Sequence, residues 1–148
     1  MYQFIRLKML TPLGWLIAGL IAIVMLPPQL MAQTFENSPI GFASVNANGQ
    51  NGTTGGAGGP TVTATTDSEL RSFAGQSGPL IIQVSGTIGL TSDVNVASNK
   101  TIIGLGSTAA ITGHGLIMSG VQNIIVRNIA FSNAAVNSIT IEVNAHHV

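Results

Sequence analysis

Short apolar runs return at a near-constant interval through the second half of this chain, and that return restricts the fold more than any other feature. Leu80-Ile81, Ile102-Ile103 and Ile124-Ile125 stand 22 residues apart, Ile117 and Ile139 keep the same step, and Val148 follows Ile124 after 24. Each interval holds β-branched runs of three to five residues separated by Gly, Ser and Asn, such as Ile81-Ile82-Gln83-Val84 and Ile139-Thr140-Ile141. Such runs are too short for helices and pattern as half-buried strands. A period in the low twenties points to a solenoid, whose turns bury their apolar faces only by stacking on one another. Of the two solenoids with this period, a leucine-rich repeat requires Leu-x-x-Leu-x-Leu spacing, which is missing. The expected fold is therefore all-β: a single-stranded parallel β-helix of ~22-residue coils.

Composition agrees. Only 7% of the 148 residues are charged and 5% aromatic, with 18 glycines and no cysteine. Stacked strands and turns suit that mixture, whereas a disordered tail needs more charge and less Ile and Val. Without cysteines the fold must stand on packing alone.

The first residues read as a targeting segment. Arg6 and Lys8 form a basic start, Leu13 to Leu26 is an uninterrupted apolar run, and Pro27-Pro28 breaks it. The run has the length of a signal-peptide core and is short for a membrane span. The reading is a signal peptide over residues 1–32, cleaved after Ala32, with an uncleaved N-terminal anchor as the alternative. Either places the remainder outside the cell. Beyond Ala32 the charges are Arg71, Lys100 and Arg127 against Glu36, Asp67, Glu69, Asp93 and Glu142. No basic stripe exists, so nucleic-acid binding has no footing, and no membrane association is expected after cleavage.

Residues 33–60 form a Gly/Asn-rich lead-in that orders by docking. Its Asn51-to-Gly59 stretch lacks the Lys-Ser/Thr pair of a phosphate loop and precedes a strand. The helical coils occupy 61–148. Thr61 to Thr65 alternates as a first strand. Thr66-Asp67-Ser68-Glu69 has capping-box spacing, which predicts a helix from Asp67 to Ala74 that lids the first coil. Strands follow at 80–84, 94–96, 101–105, 110–111, 116–118, 124–126, 129–131 and 138–143, with Gly86-Thr87-Ile88 read as a turn. Asn99, Asn123, Asn128 and Asn133 fall at turns, where Asn tolerates left-handed backbone; stacked copies can form side-chain ladders or stand alone.

The polar residues offer little chemistry by themselves. Glu142 reads as a solvated carboxylate, His114 as a turn residue and Arg127 as a surface or strand-edge arginine. His146 and His147 are adjacent on an expected strand and so point to opposite faces, which keeps them from sharing a metal ion.

Several segments together resemble secreted pectate lyases: Gly41-Phe42-Ala43 with Asn51–Gly59, Ser77–Ile88, Asn99-Lys-Thr-Ile-Ile-Gly-Leu-Gly106, and Val121-Gln-Asn-Ile-Ile-Val-Arg-Asn-Ile129. Ala145-His146-His147-Val148 resembles the opening of a segment that continues Trp-Ile-Asp-His in that family. The resemblance implies a right-handed parallel β-helix, cleavage of pectate (polygalacturonate) by β-elimination, and Ca²⁺ as cofactor. It also implies that the arginine base and most calcium carboxylates lie on later coils than this chain contains. No catalytic residue is therefore assigned within it, and its substrate-binding residues are not identified. Where relatives carry a calcium-ligand Asp, this sequence reads Asn137, a neutral oxygen in place of a charge, and Asn137 is the one metal-ligand candidate. The chain alone is expected to be inactive. A complete protein is expected to be a monomer, and this portion, uncapped, to self-associate. The alternatives are a non-catalytic β-helical carbohydrate-binding or cell-surface module, and a pectin lyase.

Overall fold

Apart from one small N-terminal hairpin, strands in this protein pair with the coil above and the coil below. The computed structural model describes residues 40–148, which lie in one compact unit. The expected signal peptide and the start of the lead-in fall outside the described residues.

After one turn of 3₁₀ helix at Gly41–Ser44, β1 (Asn46–Ala47) and β2 (Gln50–Asn51) form a small antiparallel hairpin. Three parallel sheets follow. The first has the order β10 (Ile124–Arg127), β7 (Lys100–Gly104), β4 (Leu80–Val84), β3 (Thr61–Ala64). The second stacks β11 (Ala130–Ser132), β8 (Ala110–Thr112) and β5 (Thr87–Gly89), and the third β12 (Ile139–Glu142), β9 (Leu116–Ser119) and β6 (Val94–Asn95). Three sheets wound by one chain, every neighbour parallel, make a parallel β-helix. Among the described residues no helix is long and apolar enough to cross a membrane.

Register corrects the simple repeat. Leu80 pairs with Lys100 and Lys100 with Ile124, so successive coils advance by 20 and then 24 residues around the expected 22. Ile102 therefore stacks on Ile82 and beneath Val126, not on Leu80 and Ile124. Similarly, Ile139 pairs with Leu116 rather than Ile117. Apolar residues at alternate positions all satisfy a loose periodicity, whereas the pleat tolerates no one-residue slip. Of the expected turn Gly86-Thr87-Ile88, the last two residues belong to a strand, Thr87–Gly89, because Ile88 is the inward residue of the second sheet, stacked under Ile111 and Phe131. Ile82, Val84, Ile88, Val94, Ile102, Ile111, Leu116, Met118 and Ile124 form the buried axis.

The extra residues go into particular turns. Four residues (96–99 and 120–123) separate the third sheet from the first in both coils. By contrast, 105–109 lengthens the turn after β7, and 133–138 lengthens the turn before β12.

Helix α1 (Asp67–Gly75) stands where the first coil would otherwise carry its second and third strands. Thr66 Oγ1 accepts from the Glu69 amide at 3.3 Å and the Glu69 carboxylate accepts from the Thr66 amide at 3.2 Å, a complete capping box. Bonds from the Thr65 amide and hydroxyl, together with Thr66, hold the Glu69 carboxyl below its usual range. Leu70 and Ala74 are fully buried against the first coil. Asp67 and Arg71 rivet the helix to the turn after β5. Asp67 Oδ2 accepts from the Thr91 hydroxyl at 2.6 Å, and Arg71 donates to the carbonyls of Ser92 and Asp93.

One inward position of the first sheet is charged. Lys100 occupies the column between Leu80 and Ile124 and is fully buried. Its methylenes take an aliphatic place, while Nζ donates to the carbonyls of Gly78 at 2.7 Å and Ser98 at 2.9 Å. Burial lowers its pKa from the usual lysine value of 10.5. In the window between the lowered value and 10.5 the unfolded chain binds more protons than the folded one, so stability rises with pH there. Urea denaturation at successive pH values up to 10.5 should show this rise in the native sequence and lose it in Lys100→Met; parallel slopes in the two proteins would refute it.

Candidate functional site

The outward face of the first sheet is where the lead-in docks. Thr101 and Ile125 project from this face, and residues 53–59 lie across them. The approach is close enough to exclude side chains. A Cβ on Gly56 would stand 2.1 Å from the Leu80 carbonyl oxygen, and one on Gly59 2.0 Å from that of Pro79. Gly56 and Gly59 are thus required for backbone-to-backbone packing. Gly56 donates to Thr101 Oγ1 at 2.9 Å.

Asn123 organises this contact. It is 5% exposed, with φ of +60°, which aims its amide at the docked loop. Its Oδ1 accepts from the amides of Thr54 and Gly55, each at 2.7 Å. Its Nδ2 donates to Asn99 Oδ1 at 2.7 Å, in the equivalent turn one coil earlier. Asn99 and Asn123 thus form a ladder step; both have left-handed φ, at +62° and +60°. His147, one further 24-residue step along, has φ of +55°. Asn128 instead donates to the carbonyls of Gly104 and Gly106.

Asn137 lies in the turn before β12, exposed, in the row that also contains Ser92 and His114. Its backbone oxygen packs over Gly115, where a Cβ would come within 2.0 Å of it. Gly115 in turn donates to Asp93 Oδ1 at 3.0 Å, and His114 Nδ1 lies 3.4 Å from the same oxygen. Oδ1 of Asp93 therefore accepts from a backbone amide and lies beside an imidazole. Ca²⁺ takes six to eight oxygens, and among the described residues no group of three or more His, Cys, Asp or Glu side chains converges. Asn137 brings one neutral oxygen, and the described residues do not complete a calcium site around it.

Glu142 is exposed on β12. Arg127 ends β10, the outer strand of the first sheet, with its Nε buried and without a hydrogen-bond partner among the described residues. The two histidines depart from expectation. His146 Nδ1 and His147 Nδ1 are 2.8 Å apart, and the rings meet edge to face. The left-handed φ of His147 turns its side chain toward its neighbour, so strand alternation does not apply there.

These features can be set against known proteins. A family model described as pectate lyase matches residues 9–143. The chain belongs to the pectate lyase family. It is 45% identical over 100 residues to pectate lyase plyB of Emericella nidulans, an alignment covering 68% of this chain and 29% of that protein. It is 41% identical over 101 residues to the pectate trisaccharide-lyase of Thermotoga maritima, covering 66% of this chain and 27% of that one. The crystal structure of a Bacillus pectate lyase in complex with trigalacturonate superposes with a TM-score of 0.63 at 28% identity, over 75% of this chain and 40% of that one. This pectate lyase family chain therefore spans under a third of the length of the curated relatives it matches. Its parallel β-helix is the fold expected from the resemblance.

Proposed function

We propose that the chain is the N-terminal part of an exported polysaccharide lyase that cleaves polygalacturonate by calcium-assisted β-elimination. The observation that carries this reading is the match to pectate lyases along nearly all of the chain, together with a fold shared with the trigalacturonate-bound Bacillus enzyme. Residues 1–32 serve as its export leader.

Elimination across C4–C5 of a galacturonate removes the C5 proton beside a carboxylate and expels the C4 glycosidic oxygen. The existing negative charge makes that proton hard to remove. Bound calcium supplies charge neutralisation at that carboxylate. The role we assign to this portion is the scaffold: coils whose pleat fixes where later residues stand, and one neutral calcium ligand, Asn137. On this reading, the 148-residue chain with polygalacturonate and Ca²⁺ yields no unsaturated uronides by ultraviolet absorbance, whereas the chain continued into further coils does. Product from the short chain would overturn the assignment of the chemistry to later coils. Saturable pectate binding by a continued chain that forms no product would favour a non-catalytic binding module.

The Asn137 assignment has its own test. Restoring a charge with Asn137→Asp should tighten Ca²⁺ binding about tenfold, since ligand charge count sets affinity in such sites. Calorimetric titration with Ca²⁺ of the chain continued into further coils, with Asn137 and with Asn137→Asp, reads the change. Equal affinities would remove Asn137 from the site.

A further inference from the structure

We infer that His146 and His147 form a proton-sharing clasp that holds the β1–β2 hairpin to the coils and opens only when both rings are charged. His147 Nε2 lies 3.0 Å from the Val45 carbonyl oxygen, immediately before β1. Among the described residues this is the hydrogen bond that joins residues 40–52 to the coils; the bond from Thr53 to the Ala43 carbonyl closes the segment on itself. A carbonyl oxygen only accepts, so Nε2 carries the proton and the neutral His147 ring presents an acceptor at Nδ1. The 2.8 Å contact then requires His146 Nδ1 to donate. Each ring is fixed by the other, and the chain anchors both from behind: His146 N donates to the Val121 carbonyl, while the His146 and His147 carbonyls accept from Asn123 and Ile124.

One added proton does not break this arrangement. The pair accommodates it as a charge-assisted N–H···N bond, with either ring as donor, and the bond to Val45 persists. A second proton places hydrogens on both Nδ1 atoms and sets two cations edge to face, which expels one ring. Among the described residues the surroundings offer no compensation. Asn48, Asn144 and Ala145 line the adjoining cavity with His146, and Gln122 and Asn123 flank the pair through the backbone. Among the described residues the nearest charged side chain in sequence is Glu142, which pairs with neither ring, since the ion pairs there are Arg71–Asp67 and His114–Asp93. Nor, among the described residues, do the two rings gather the further ligands a metal needs.

The test uses the full chain, with ring nitrogens followed by long-range ¹H–¹⁵N correlation from pH 8 to pH 4 and hairpin amides by hydrogen exchange corrected for intrinsic rate. At the alkaline end His147 should be the Nε2–H tautomer and His146 the Nδ1–H tautomer. Protection at Thr53 and in β1–β2 should hold through the first ring titration and fall about tenfold with the second, while β4 and β7 stay protected, the expected scale for one ordinary hydrogen bond. His147→Asn, which tolerates the left-handed backbone, and His146→Gln should each abolish that acid-dependent step. The inference is overturned if protection follows the first proton or neither, if the tautomers are reversed, or if His147→Asn keeps the step.

Discussion

Asn123→Ala is expected to cost about 3 to 5 kcal/mol of folding stability, roughly a fifth or more of what a domain ordinarily holds. Three losses combine. The Thr54 and Gly55 amides lose the oxygen that accepts both of them, and Asn99 loses its ladder donor; buried groups left unpaired cost about 1 to 3 kcal/mol each before relaxation. Alanine is also poorly suited to φ of +60°, at about 1 kcal/mol. Asn123→Gly separates the terms, because glycine accepts the backbone but makes no side-chain bond. It should recover roughly 1 kcal/mol and no more. Urea denaturation reads the difference, and cleavage within residues 53–59 by a dilute protease reads the freed loop. A loss below about 1 kcal/mol for the alanine variant would show that the docked loop contributes little.

Gly104→Ala is expected to be nearly as damaging, by about 3 kcal/mol, for a reason unrelated to hydrogen bonding. Gly104 ends β7 beneath the turn that follows β10. An added methyl would stand 1.9 Å from the Asn128 carbonyl oxygen and 2.5 Å from Ala109 Cβ. Neither atom lies at the end of a flexible side chain, so two coils must part, at the upper end of the cost of overpacking. Gly89→Ala is the matched control. Its nearest atom would be Thr112 Cγ2 at 3.9 Å, an ordinary contact, and the change should fall within about 0.5 kcal/mol. Similar losses for the two variants would mean that strand propensity, not clearance, sets the effect.

The architecture was legible because β-branched runs return at short intervals and the capping box at Thr66–Glu69 needs only local residues. The register was not. Leu80, Ile102 and Ile124 make a convincing column on paper, but any apolar residue two places away serves equally, and turn lengths of 20- and 24-residue coils decide between them. Lys100 was missed for the same reason: it sits at an inward position that only the true register reveals. The roles of Gly55, Gly56 and Asn123 depend on partners 45 to 69 residues away, beyond the reach of local pattern. The pairing of His146 and His147 was hidden by one dihedral angle. Asn137 was placed by resemblance alone, and its neighbours in space, Asp93 and His114, entered only with the fold.

Unequal coils joined by a constant four-residue third turn have a consequence for how such a protein can vary. Each coil advances the stack by one strand spacing, about 4.8 Å, whatever number of residues it contains. Residues added at 105–109 or 133–138 therefore widen the molecule without lengthening it, whereas one residue added at 96–99 or 120–123 would throw Asn99 or Asn123 off its rung. Length and girth are thus under separate genetic control: whole coils set the first, and two of the three corners set the second.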